Sequence, residues 1–197
     1  MPPKAKYTKE EIIEAAMQIV REYGMEAVTS REIGRRLNSS ACPIFTVFQN
    51  MDEVNASIIT AIRSLYREYI MEGLAKELPF QGVGTAYIKF ARNEPKFFRI
   101  LFMTEPENPT DIKHILAVID GNYTEILRSV KEPYHLTQRE AERLYEHLWV
   151  YTHGIATLCA TKVCTFTDME IQERMGEIFL SLLKNIKQGT DEALHRI

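Results

Sequence analysis

From near the N-terminus, apolar side chains return every three or four positions: Ile12, Ala15, Ala16, Ile19, Val20 and Tyr23, then Ile33 and Leu37, then Val54, Ile58, Ile62, Leu65 and Tyr69. That period lays one apolar stripe along a helix of 3.6 residues per turn, whereas a half-buried strand would alternate apolar with polar. The same spacing returns late in the chain, through Leu144, Leu148, Tyr151, Ile155 and Leu158 and through Met175, Ile178, Phe179, Leu182 and Ile186. β-Branched residues follow the helical spacing too. The pattern predicts an all-α chain of about nine helices.

Polar residues mark where the helices begin. Thr or Asn followed three residues later by Glu satisfies two orphan backbone donors reciprocally, and the pairs Thr8 and Glu11, Thr29 and Glu32, Asn50 and Glu53, Thr137 and Glu140, and Thr167 and Glu170 each precede an apolar stripe. Gly24 closes the first helix and Asn38 the second, both able to adopt left-handed geometry. The third runs from Asn50 to about Lys76, after which "LPFQGVG" at 78–84 breaks the pattern and marks an organisational boundary. "TAYIKFARNEPKFFRILFM" reads as two short helices divided at Glu94–Pro95, because proline disfavours helical geometry in the residue before it. A further helix is expected from Pro109 to about Val130, and the last two near 138–161 and 168–188.

Residues 29–48, "TSREIGRRLNSSACPIFTVF", have the logic of a helix-turn-helix. Ile33 and Leu37 face Ile44, Val47 and Phe48, Gly34 lets the two helices approach closely, and Ser40 is placed to cap the second helix. Pro43 then falls in the first turn, where its missing N–H breaks no intrahelical bond. A plain helical corner would show the same packing logic.

Composition narrows the classes. Hydrophobic residues make up 45% and charged residues 26%, and no apolar run approaches the ~20 residues that span a bilayer. "MPPKAKYTKEE" is basic but leads into no apolar signal core, so a cytoplasmic protein is expected. Cys42, Cys159 and Cys164 make neither a disulfide framework nor a metal pair and read as free thiols. The net charge of −3 hides an asymmetry: residues 1–50 hold seven Lys and Arg against six Glu, the remainder seventeen against twenty-one acids. Lys4, Lys6 and Lys9 lead the chain, and Arg31, Arg35 and Arg36 cluster in its helix-turn-helix.

On these residues the sequence resembles the TetR family of transcriptional regulators, strongly over the first ~55 residues and by layout beyond. The resemblance rests on Thr8, Ala15, Ala16, Gly24, Thr29, Ile33, Gly34, Ser40, Ile44, Phe45, Val47, Phe48, Met51, Glu53 and Val54. "LWVYTHGIATL" is similar to a regulatory-domain subgroup with Trp, His and Gly in that order, here Trp149, His153 and Gly154. The resemblance implies a three-helix DNA-binding domain at 1–52 and a helical effector-binding and dimerisation domain at 53–197. It also implies a homodimer that binds a palindromic operator, most often as a repressor, and is released by a small molecule. Phe45, Val47 and Met51 stand where the family has tyrosine, histidine and lysine, and none of them donates a strong hydrogen bond. The alternative is therefore a ligand sensor or protein-interaction module on the same fold with weakened DNA binding.

The DNA-contact candidates are Lys4, Lys6, Thr29, Arg31, Arg36, Ser39, Ser40, Ala41, Cys42, Pro43, Phe45, Thr46 and Met51. Cations would hold phosphates and the small side chains would read base edges. Two half-sites lie about 34 Å apart, one DNA turn, so two copies must be joined. Leu144, Tyr151, Leu158, Ile178, Phe179, Leu182 and Ile186 are the interface candidates, packing as a four-helix bundle. Phe90, Phe98, Phe102, Tyr123, Trp149 and His153 are candidates for a pocket that takes an apolar or amphipathic effector. Gly154, within a helix, suggests that another backbone or a ligand comes close. No nucleophile has a local base, and His147 and His153 lie on opposed helix faces, so neither an enzyme nor a metal or cofactor is expected.

Overall fold

The computed structural model describes residues 6–105, 111, 112, 115, 116 and 121–194. Among these there are eight α-helices, two 3₁₀ turns and no strand, in agreement with the all-α expectation. Lys4 and part of the helix expected after Pro109 lie outside the described residues, and the described part breaks at a turn, Gly121–Asn122, before a helix that begins at Tyr123. The chain forms two compact units, Met1–Tyr66 with Lys96–Thr104, and Arg67–Pro95 with Glu105–Ile197.

The first unit contains α1 (Lys9–Tyr23), α2 (Ser30–Arg36), the first part of α3 (Met51–Leu74) and nearly all of α5 (Pro95–Phe102). Its core is Ile12, Ile19, Ile33, Ile44, Ile58 and Ile62 with Phe48, Phe97 and Phe98, all essentially inaccessible. Tyr23, expected on the buried stripe of α1, is exposed, and Met17 is buried instead. Helix α5 is held on α1 by Lys96, which donates to the Glu22 carbonyl, and by Arg21, whose guanidinium lies 5.0 Å from the Phe97 ring centroid.

All five helix starts carry their cap, but the boxes close to different degrees. Thr8, Thr137 and Thr167 each exchange both bonds with the Glu three residues on. Thr29 accepts from the Glu32 N–H at 3.1 Å, but the Glu32 carboxylate is taken by Arg35. Asn50 accepts from the Glu53 N–H at 2.9 Å, while the Glu53 carboxylate turns to Gln49 N–H and Lys9. A competing cation opens the box in both cases.

The second unit holds the rest of α3, α4 (Pro79–Asn93), α6 (Tyr123–Lys131), α7 (Gln138–Ala160) and α8 (Asp168–Leu194). Here the break is shorter than expected: α3 ends at Leu74, and within "LPFQGVG" only Leu78 precedes α4. Pro79 opens α4, where its fixed φ and missing N–H cost nothing, and the glycines serve packing. A Cβ on Gly82 would lie 2.1 Å from the Gly73 carbonyl oxygen, and one on Gly73 would lie 2.7 Å from that of Gly82. The close approach of α3 and α4 therefore needs glycine on both sides. Helix α4 then packs along α7, with α6 and α8 against the same pair.

This contact makes a prediction. Gly82→Ala must force the two backbones apart and should cost about 1–3 kcal/mol, the usual penalty for overpacking, read as a lower urea midpoint in a denaturation series. An unchanged midpoint would contradict the geometry.

Candidate nucleic-acid interface and effector site

The helix-turn-helix closes on Gly34. A Cβ there would lie 2.7 Å from the Ser40 carbonyl oxygen, so the backbone after the turn rests directly on α2. Asn38 makes the turn at φ 50°, the left-handed geometry expected of it. The segment that follows departs from expectation. It is a 3₁₀ turn, Cys42–Thr46, preceded by Ala41 without a side-chain cap, rather than an α-helix capped by Ser40. Pro43, at the second position, has no N–H to give, and Ile44 N–H bonds back three residues to Ala41.

Ser40, Cys42, Phe45 and Thr46 project outward, and Ser39, Ala41, Pro43 and Met51 are half-buried. The Thr46 hydroxyl donates to the Pro43 carbonyl at 2.7 Å, and Thr29 uses its oxygen as the cap of α2. The N-terminal arm is tied to the turn: Tyr7 donates to the Leu37 carbonyl at 2.6 Å and Lys6 to the Ser39 hydroxyl at 3.3 Å.

The cations divide into spent and available ones. Arg36 makes a bidentate pair with Glu22, one bond of which is 2.8 Å, and its hydrogen bonds hold the Glu22 carboxyl below the usual carboxylate range. Arg35 does the same to Glu32 at 2.9 and 2.5 Å. Lys9, expected on a free arm, pairs with Glu53 at 2.9 Å and lies 5.0 Å from the centroid of the Phe48 ring. Arg31 is exposed and makes no ion pair among the described residues. A groove of about 530 Å³ lies between α1 and the end of α2, where Glu10, Glu11 and Glu14 face Arg36, Tyr7 and Leu37.

The six pocket candidates are divided between the two units. Phe98 and Phe102 belong to the first unit, where Phe102 meets Tyr66 edge-on at 5.1 Å. Phe90 is fully buried against Tyr69, and Tyr123 pairs with Tyr145 at 5.9 Å. Trp149 and His153 do meet, stacked at 4.9 Å with 15° between their planes. The third member is Tyr87, reached from α4, whose hydroxyl is 2.9 Å from His153 Nδ1. Sequence spacing joins the first two across one helical turn, but nothing local could have supplied a partner 66 residues away.

Two donors on α7 are left over. Trp149 Nε1 and the Thr157 hydroxyl are buried without a hydrogen-bond partner, a cost of about 1–3 kcal/mol each. Gly154 is exposed, and no atom of another described segment lies within 4 Å of its Cβ position. Among the interface candidates, Leu144 and Ile186 are spent in the unit's own core, while Tyr151, Leu158, Ile178, Phe179 and Leu182 are half-buried. No group of His, Cys, Asp and Glu among the described residues could hold a metal ion, and no described helix is long and apolar enough to cross a membrane.

Residues 80–173 match the family model of the tetracycline repressor-like C-terminal domain. This match supports the TetR-family resemblance over the C-terminal part of the chain and points to a regulator. Among solved structures it is similar to the fatty acid degradation regulator FadR from Bacillus halodurans, with a TM-score of 0.60 and 16% identity over 92% of this chain and 97% of that one. At that identity the likeness is one of fold. No curated protein matches the sequence.

The His153 environment gives a pH prediction. Burial pushes the His153 pKa below its ordinary 6.5, so the unfolded chain takes up a proton before the folded one does. The stability tied to neutral His153 is complete above pH 6.5 and declines as pH falls below it, levelling off below the folded-state pKa. Melting temperature should therefore fall between pH 7 and 5.5 in the wild type, and His153→Gln should show a shallower decline. Parallel curves would reject the assignment.

Proposed function

We propose that the chain is a cytoplasmic, effector-released repressor that binds a palindromic operator as a homodimer, with residues 1–52 reading DNA and 53–197 holding the effector and the partner. The observation that carries this reading is the corner at Gly34 and Ser40. It presents Ser40, Cys42, Phe45 and Thr46 as one outward row, ahead of a tetracycline repressor-like domain. Such a row supplies hydroxyl groups and an apolar edge for the major groove but no charge. Phosphates then fall to Lys4 and Lys6 on the arm, to Arg31, and to Arg36 once it exchanges Glu22 for DNA.

Gel shifts on the DNA upstream of the chain's own gene test this. Lys6→Ala and Arg31→Ala should weaken binding to every sequence and lower the salt slope by about one per phosphate lost, whereas Thr46→Ala should change base preference at constant slope. A wild type without sequence preference at ~50 mM salt favours the second reading, a sensor with decayed DNA binding. That reading draws on the spent arginines and on Phe45, Val47 and Met51.

The proposed dimer seat lies on the outward faces of α7 and α8. Val150 and Leu180 are 55% and 64% exposed, and each sits one turn from a glycine, Gly154 or Gly176, with open space at its Cβ position. Open glycines let two helices approach closely, with half-buried Tyr151, Leu158, Ile178, Phe179 and Leu182 alongside. Val150→Glu with Leu180→Glu should give folded monomers by sedimentation, since neither side chain belongs to the unit's core. A variant that remained dimeric would remove the seat. FadR's connection with fatty acid degradation puts amphipathic lipids among the effectors to screen.

A further inference from the structure

Two threonines of helix α7, Thr152 and Thr157, have buried hydroxyls, and a third, Thr161, caps its end half-buried. Thr152 donates to the Leu148 carbonyl at 2.7 Å and Thr161 to that of Thr157 at 2.7 Å, the ordinary back-bond to the residue four earlier. Thr157 makes no such bond and its hydroxyl is buried unpaired. Two turns before it, about 12 Å along the axis, the Trp149 indole N–H is buried unpaired as well. His153 lies between them, stacked on Trp149 and bonded to Tyr87. One helix face therefore offers aromatic walls and two separated donors that no described residue uses.

We infer that this face is the effector seat and that it takes an uncharged, flat aromatic molecule carrying carbonyl-type acceptors; the inference rests on the effector-released regulator proposed above. An indole N–H can only donate, so its partner must accept. A cationic group would bring donors to a donor. An anion finds no counter-charge, because burial keeps His153 neutral at neutral pH. The nearest carboxylates on the same helix, Glu142 and Glu146, which add to burial in pushing the Tyr123 hydroxyl up, repel an anion further. Arg92, whose charge reaches Cys159 at the far end of α7, is paired with Asp168. Occupancy would satisfy both leftover donors, which gives the ligand-bound form an interaction that the empty form lacks.

Four naphthalenes of similar size test the chemistry by titration calorimetry on the full chain: 2-ethylnaphthalene, 2-acetylnaphthalene, 2-naphthoate and 2-naphthylmethylammonium. The acetyl compound should bind about tenfold more tightly than the ethyl compound, the worth of one hydrogen bond in a dry site, and both ions should bind more weakly. Trp149→Phe should erase the tenfold difference, bringing the acetyl compound down to the affinity of the ethyl compound measured on the same variant. Should that variant fold poorly, the isosteric Thr157→Val, tested with 2-acetyl-6-methoxynaphthalene, asks the same question of the second donor. Equal binding of the ethyl and acetyl compounds overturns the acceptor chemistry and leaves a pocket there. Tightest binding of either ion overturns the charge assignment. If no compound binds while operator DNA is still bound, the seat itself is wrong and the regulator reading survives.

Discussion

Helix α2 can lie against the Ser40–Ala41 backbone because Gly34 has no Cβ, and the second unit repeats the device where Gly73 and Gly82 let α3 and α4 touch backbone to backbone. A side chain at any of these positions would hold two segments apart by an ångström or more, and close-packed interiors cannot absorb that without opening a void. In the first unit the approach fixes the outward row from Ser40 to Thr46. In the second it fixes where α4 starts, and so the register in which Tyr87 meets His153 on α7. Both candidate sites therefore depend on contacts made by residues that touch no ligand.

Charge in the first unit is arranged differently from what its formal sum suggests. Lys9, Arg35 and Arg36 are each matched to a nearby carboxylate, so they tie the unit to itself before they are offered to anything else. Exposed pairs of this kind add little to stability, and each can be traded for a phosphate at small cost. Tyr7 and Lys6 hold the arm to the turn through hydrogen bonds rather than charge, leaving Lys6 beside the outward row. The uncharged segment 38–50 is thus supported by cations whose own segments differ from it.

Helix α7 has three faces with separate tasks. Leu144, Leu148 and Ile155 fill the core, Trp149, His153 and Thr157 form the aromatic and donor face, and Val150 and Gly154 look outward. On the reading proposed above, this one helix serves a core, a ligand and a partner, and a ligand that shifts one face tilts the others with it.

The sequence by itself determined what is local. Five capping pairs placed five helix starts, the apolar period excluded strands, Asn38 made its left-handed turn and Gly34 its close approach, because each depends on neighbours within a few residues. It placed the break between α3 and α4 a few residues too late, across "LPFQGVG", since the same glycines serve a turn or a tight helix contact and only the partner helix tells them apart. Tertiary structure alone decided that residues 42–46 form a 3₁₀ turn, that Phe98 and Phe102 serve the first unit, and that Arg36 finds Glu22. The physical reason is distance along the chain. A cap or a period is written within one or two turns, whereas the partner of a buried ring or a guanidinium is chosen by packing among residues that the sequence holds far apart.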